Sequence, residues 1–134
     1  MLLATGLCSM PPSEDAQLLL RIVERHLRTL KFGLDEQFPA EDWGFTAQQA
    51  VEKLLKCCIV LADGEPPRSH ELDLLAREAN LNLSNLLLDL QPFAVEARYQ
   101  IGDFKLPGDR ARILEEIQLL ADKLRSAIAT QAKD

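Results

Sequence analysis

The stretch GFTAQQAVEKLLKCCIVLADG, Gly44 to Gly64, constrains the fold of this chain more than any other. Its apolar residues follow a helical period, and its two halves differ. In the first half Ala47, Ala50, Val51 and Leu54 form a stripe, with Gln48, Gln49, Glu52 and Lys53 pointing away from it. From Leu55 to Ala62 every residue is apolar except Lys56. Such a helix needs cover on nearly all sides of its C-terminal half, which places it at the centre of an assembly of helices. Thr46 and Gln49 have the spacing of a capping box, and Phe45 and Ala50 that of a hydrophobic staple. Asp63 and Gly64, followed by Pro66 and Pro67, end the helix.

Four further helical segments flank it. In the first, Ser13 can cap, and Leu20, Val23, Leu27, Leu30 and Leu34 recur at steps of three and four, with Arg21, Glu24, Arg25 and Arg28 elsewhere. SHELDLLAREAN predicts a helix opened by Ser69 and terminated by Asn80. SNLLLDLQPFAVEARY predicts another, which Pro92 must kink or split because it removes a backbone donor. Gly102, Pro107 and Gly108 mark a loop, and Leu114, Ile117, Ala121, Leu124 and Ile128 stripe the last helix. No strand pattern and no repeat is present. The expectation is all-α: a four- to five-helix up-and-down bundle, one domain over residues 1–134, with residues 1–12 loosely ordered.

The chain has 134 residues, enough for a core that needs no metal or disulfide staple. Its net charge of −6 argues against general nucleic-acid coating, while leaving room for a local basic pocket. Cys8, Cys57 and Cys58 form neither a disulfide framework nor a zinc spacing, which suits a reducing cytoplasm. MLLATGLC lacks the charge and length of a secretory signal and reads as a frayed terminus. No stretch reaches the roughly 20 apolar residues of a membrane span.

Within one small bundle, complete cover for Leu55 to Ala62 is hard to supply. A two-fold homodimer would supply it, with Ile59 on the side exposed in one subunit and the two copies of Lys56 near a shared cleft.

FTAQQAVEKLLK (Phe45–Lys56), PRSHEL (Pro67–Leu72) and EARY (Glu96–Tyr99) together resemble the HEPN domain family. The resemblance is carried by an AQQA-x-EK-x-LK helix, a His-Asp-Leu-like segment and an Arg-Tyr-Pro element. It covers Phe45 to Tyr99 on motifs and the flanking helices on pattern. Glu71 stands where the family usually has Asp, and Gln100 where Pro is common. The resemblance implies a helical bundle that usually dimerises, often beside a minimal nucleotidyltransferase partner. Some members are metal-independent ribonucleases; others have been proposed to bind nucleotides or to form half of a toxin–antitoxin pair.

The ribonuclease branch carries Arg followed at four to six residues by His, late in the bundle. Here Arg98 is followed by YQIGDFKL, without His. The only Arg-x4-His pair is Arg21 with His26, which do not share a helix face. The expectation is therefore a non-catalytic protein with no catalytic residues, no metal and no cofactor. Lys53, Lys56, His70, Arg98 and Tyr99 are the candidate ligand-binding residues, a local basic site suited to a phosphate-bearing ligand. Each also has a structural reading. Glu52 can pair locally with the lysines, Lys56 can snorkel over apolar neighbours, and His70, in the first turn of its helix, can simply pack. Arg98 can bridge to Glu52 or Glu96, and Tyr99 can cap the core. The rival readings of the whole chain are a ribonuclease toxin using Arg21 and His26, and a purely structural interaction module.

Overall fold

A computed structural model describes residues 12–95 and 105–133. Among them all regular structure is helical, as the periodicities require. α1 spans Pro12–Phe32, α2 Ala40–Leu61, α3 Leu72–Glu78, α4 Asn85–Leu88 and α5 Arg110–Lys133, with a 3-10 turn at Gln91–Ala94. Cys8, Arg98, Tyr99 and residues 1–11 lie outside the described residues.

α2 is the central helix and touches α1, α3, α5 and the 3-10 turn. α1 runs antiparallel to it: Trp43 Nε1 near the start of α2 donates to Leu30 O at 3.0 Å, and Cys57 Sγ near its end lies 3.6 Å from Ala16 O. α5 runs parallel to α2, since Arg110 at its start meets the α1–α2 loop while Gln131 near its end donates to Leu61 O at 2.9 Å. The short segments α3, α4 and the 3-10 turn lie between α2 and α5 in the chain. The core is built from the expected stripes, with Leu20, Val23, Leu27 and Leu30 of α1 and Ile117, Ala121 and Leu124 of α5 all buried against α2.

Much of the apolar half of α2 is covered from within the chain. Leu55 and Cys57 are fully buried and Ile59 is 5% exposed, so Ile59 does not mark an exposed side. α1 covers one side, and α3 closes another, with Cys58 Sγ 3.7 Å from Ala79 O. Distant segments of the same chain thus cover Leu55, Cys57 and Ile59, while Cys58, Val60 and Leu61 stay partly exposed and Ala62 exposed.

Other local expectations shift. α2 begins at Ala40 with Pro39 as its N-cap, so Thr46 lies inside the helix and its Oγ1 bonds Asp42 O instead of capping. α3 begins at Leu72; Ser69 Oγ accepts from Glu71 N in the preceding turn, and the Gln91 side chain accepts from Leu72 N at 2.7 Å. Ser84 caps α4 through Leu87 N, but that helix is only four residues long, and Pro92 falls in the 3-10 turn. Two helix ends share one device. Asp63 (φ 63°) after α2 and Asn80 (φ 55°) after α3 take the left-handed conformation. The next residues, Gly64 and Leu81, donate back to Ile59 O and Ala76 O at 2.9 Å each, a Schellman closure in both cases.

The α1–α2 loop is pinned from α5. Arg110 donates to Gly33 O, Asp35 O and Phe38 O at 2.6, 2.9 and 2.7 Å, and its guanidinium lies 5.7 Å from the centre of the buried Trp43 ring. Gly44 in the first turns of α2 lets Phe93 of the 3-10 turn approach the backbone. A Cβ there would meet Phe93 Cε1 and Cγ at 2.6 Å. Gly44→Ala is therefore expected to destabilise by about 1–3 kcal/mol through overpacking, despite alanine's better helix propensity. A denaturant melt followed by Trp43 fluorescence checks it. An unchanged or raised midpoint would show that the Phe93 contact is not tight.

Candidate functional site

Gln48 and Glu52 lie on the face of α2 that the helical period assigns to water, yet both are fully buried. They are covered by the segment leading into α3. The carbonyl of His70 accepts from Gln48 Nε2 at 3.0 Å, and His70 Nδ1 stands 3.0 Å from Glu52 Oε1. The other carboxylate oxygen takes two ammoniums: Lys53 Nζ at 3.0 Å and Lys56 Nζ at 3.3 Å. Gln48 Nε2 approaches Glu52 Oε1 at 3.4 Å, and Gln49 links Gln48 to Lys53. All buried side-chain polar atoms among the described residues have a partner.

The helix spacing explains the cluster. Residues 49/52, 49/53, 52/56 and 53/56 are three or four apart and line one edge of α2, while Gln48 reaches Glu52 one turn on. The protein places Lys53, Lys56 and His70 together, as the sequence motifs suggest, but around a centre that sequence reasoning treats only as a local ion-pair partner. His70 lies in the loop before α3 and not in the helix's first turn, so its position is set by Glu52 and not by the helix dipole. Arg98 and Tyr99 lie outside the described residues. The signal that could have identified the hub is the Gln-Gln-x-x-Glu-Lys spacing on a helix that must be buried.

Burial raises the Glu52 carboxyl's pKa. Hydrogen bonds from Lys53 and His70, with the charges of Lys53 and Lys56, outweigh that and leave it below its ordinary value. Glu52 is therefore an anion and only accepts hydrogen bonds, so His70 Nδ1 carries the proton and Nε2 is left for another contact. Lys53 and Lys56 keep 22% and 18% of their side chains exposed, and His70 70%, so all three are reachable from solvent while Glu52 is not. Two ammoniums against one carboxylate leave one net positive charge, the imidazole not counted. The group offers spare ammonium N–H groups that can receive an anion, while the unprotonated His70 Nε2 beside them can only accept a hydrogen bond, as from a hydroxyl or amino group of a ligand.

His26 of α1 is half-buried near this group. Burial, then the charges of Lys53 and Arg25, hold its pKa below the usual histidine value. Arg21 lines a different surface, between α1 and α5. Five residues of helix separate the two by about 140°, so they do not converge. Cys57 is a buried core thiol, pushed up to about 11 by burial and the neighbouring Cys58. A groove of about 690 Å³ is lined by Leu34, Glu36, Glu41, Lys105, Leu106 and Arg110 among others, and includes none of the candidate residues. Its guanidinium is already committed to three carbonyls, so the Glu52 group is the better candidate. No cluster of metal-ligating residues occurs among the described residues, and none of their helices is long and apolar enough to cross a membrane.

A family model described as the HEPN domain matches residues 16–128. No curated protein and no solved structure matches the chain.

Proposed function

The chain belongs to the HEPN domain family, and from that premise we propose that it is a non-catalytic binding member whose α2 site takes a phosphate-bearing ligand, a nucleotide in the first instance. The observation that carries this reading is the convergence of Lys53, Lys56 and His70 over the buried Glu52 carboxylate. The carboxylate orders the cations without neutralising them fully, which pre-organises the donors that a phosphate needs. The chain's net charge of −6 makes this local excess of positive charge a specific feature of the site. The separation of Arg21 from His26 supports the non-catalytic part of the reading. A homodimer, and a minimal nucleotidyltransferase as partner in a toxin–antitoxin-like pair, complete the proposal; their support is family membership.

Calorimetry with ATP, AMP and a short RNA tests the site. Binding of at least one is expected, weakened about tenfold or more in a Lys53→Ala/Lys56→Ala variant, a loss of roughly 1.4 kcal/mol. The same protein is expected to leave RNA intact without metal. Absence of binding at millimolar ligand would return the cluster to a purely structural role. Metal-free cleavage lost in His26→Ala or His70→Ala would restore the ribonuclease reading.

A further inference from the structure

A second positively charged surface lies away from the Glu52 group, along the seam between α1 and α5. Arg21, Glu24, Arg28 and Lys31 recur at steps of three and four, so they line one edge of α1. Arg125 of α5 reaches across the seam to Glu24 Oε2 at 3.0 Å and also pairs with Asp122 Oδ1 of its own helix at 2.6 Å. This ion pair divides the seam into two depressions. One, of about 330 Å³, has an apolar floor supplied by Leu20, Ile128 and Ala129. The other, of about 280 Å³, is polar and is lined by Arg28, Lys31 and Gln118.

Both seam carboxylates are committed to Arg125. None of the described carboxylates pairs with Arg21, Arg28 or Lys31. Four cations thus face two carboxylates, on a chain whose net charge is −6. Arg21 to Lys31 spans ten residues of helix, about 15 Å. The dividing ion pair is itself largely solvated, with 43% and 39% of its side chains exposed. Such pairs contribute about 1 kcal/mol or less, so an incoming carboxylate can exchange with Glu24 at little cost.

We propose that the α1–α5 seam is a docking site for an acidic amphipathic helix of a partner protein, with an apolar side chain over Leu20 and Ile128 and carboxylates on Arg21, Arg28 and Lys31. Charge complementarity selects an anionic occupant. The apolar depression selects a peptide over a phosphate chain, since neither depression is lined by an aromatic ring on which a base could stack. The length of the seam matches one face of a three-turn helix. This proposal is independent of the nucleotide reading, because it uses no residue of the Glu52 group.

The test uses the full chain and a fluorescein-labelled amphipathic helical peptide of about three turns, with Leu and Glu on one face. A Lys-for-Glu version of the peptide and a labelled single-stranded RNA are the comparisons, and anisotropy is the readout. The Glu peptide is expected to bind, more weakly as salt rises, and to lose about tenfold in affinity in an Arg28→Glu/Lys31→Glu variant. Both positions are exposed, and native Trp43 emission confirms that the variant is folded. The reversed variant is expected to gain affinity for the Lys peptide. Equal binding by wild type and variant, or no binding of the Glu peptide at submillimolar protein, would overturn the proposal. So would RNA binding that the reversal abolishes, or a wild-type dimer that the reversal dissociates, since these give the seam to another occupant.

Discussion

Ile59→Asp is expected to unfold the chain, not to release folded monomers from a dimer. Ile59 is 5% exposed and belongs to the core around α2. The substitution forfeits about 1.5–3 kcal/mol of side-chain burial and buries a carboxylate beside a lysine, Lys56, that Glu52 already holds, for several kcal/mol more. The sum takes most of the 5–15 kcal/mol that roughly holds a domain together. Circular dichroism should show lost helix, and Trp43, the single tryptophan, should lose its buried emission. Ile59→Val, which keeps the chemistry and removes one methyl, should cost only about 0.5–1.5 kcal/mol. A folded, monomeric Ile59→Asp protein from a dimeric wild type would give this face back to a subunit interface.

Glu52→Ala is the second large loss, expected at about 3 kcal/mol, toward the lower end for breaking a buried ion pair because both lysines can turn to water. It leaves Lys53, Lys56, His70 and Gln48 without their shared acceptor. The same groups set the response to acid. Glu52 has a lowered pKa in the folded chain, so its stabilisation is complete above its unfolded value of about 4.5 and is lost as pH falls through the folded value. His26 is also lowered, from 6.5, so its contribution begins to fall away below that pH as the unfolded state takes up the proton first. Thermal melts are therefore expected to show stability declining from about pH 6.5 and again below about 4.5. Glu52→Gln should remove the lower step and His26→Gln the upper one. A Glu52→Gln protein with unchanged midpoint and unchanged acid profile would mean that the carboxylate is not held by these partners.

Most of the architecture was legible along the chain because helix formation is governed by neighbours three and four residues apart. The stripes of α1 and α5, the central place of α2 and the stop at Asn80 follow from such local spacing. Boundaries were less legible. Pro39 could start α2 before Thr46, and Pro92 limited α4 to one turn, because caps compete and the longer-range packing chooses among them. Of the candidate site, Lys53, Lys56 and His70 were visible as residues, while Arg98 and Tyr99 lie outside the described residues.

By itself the sequence determined that the chain is helical, that α2 is central, that the motif residues of the HEPN family are present, and that Lys53 and Lys56 share an edge with Glu52. Only the tertiary structure decided that Gln48 and Glu52 are buried, that Ile59 is covered by its own chain, and that Arg125 pairs across to Glu24. The reason is the same in each case. Periodicity defines the faces of a helix, but water is excluded from a face by whatever packs on it. Here that cover comes from residues far along the chain: His70 reaches Glu52 from 18 positions away, and Arg125 reaches Glu24 from 101.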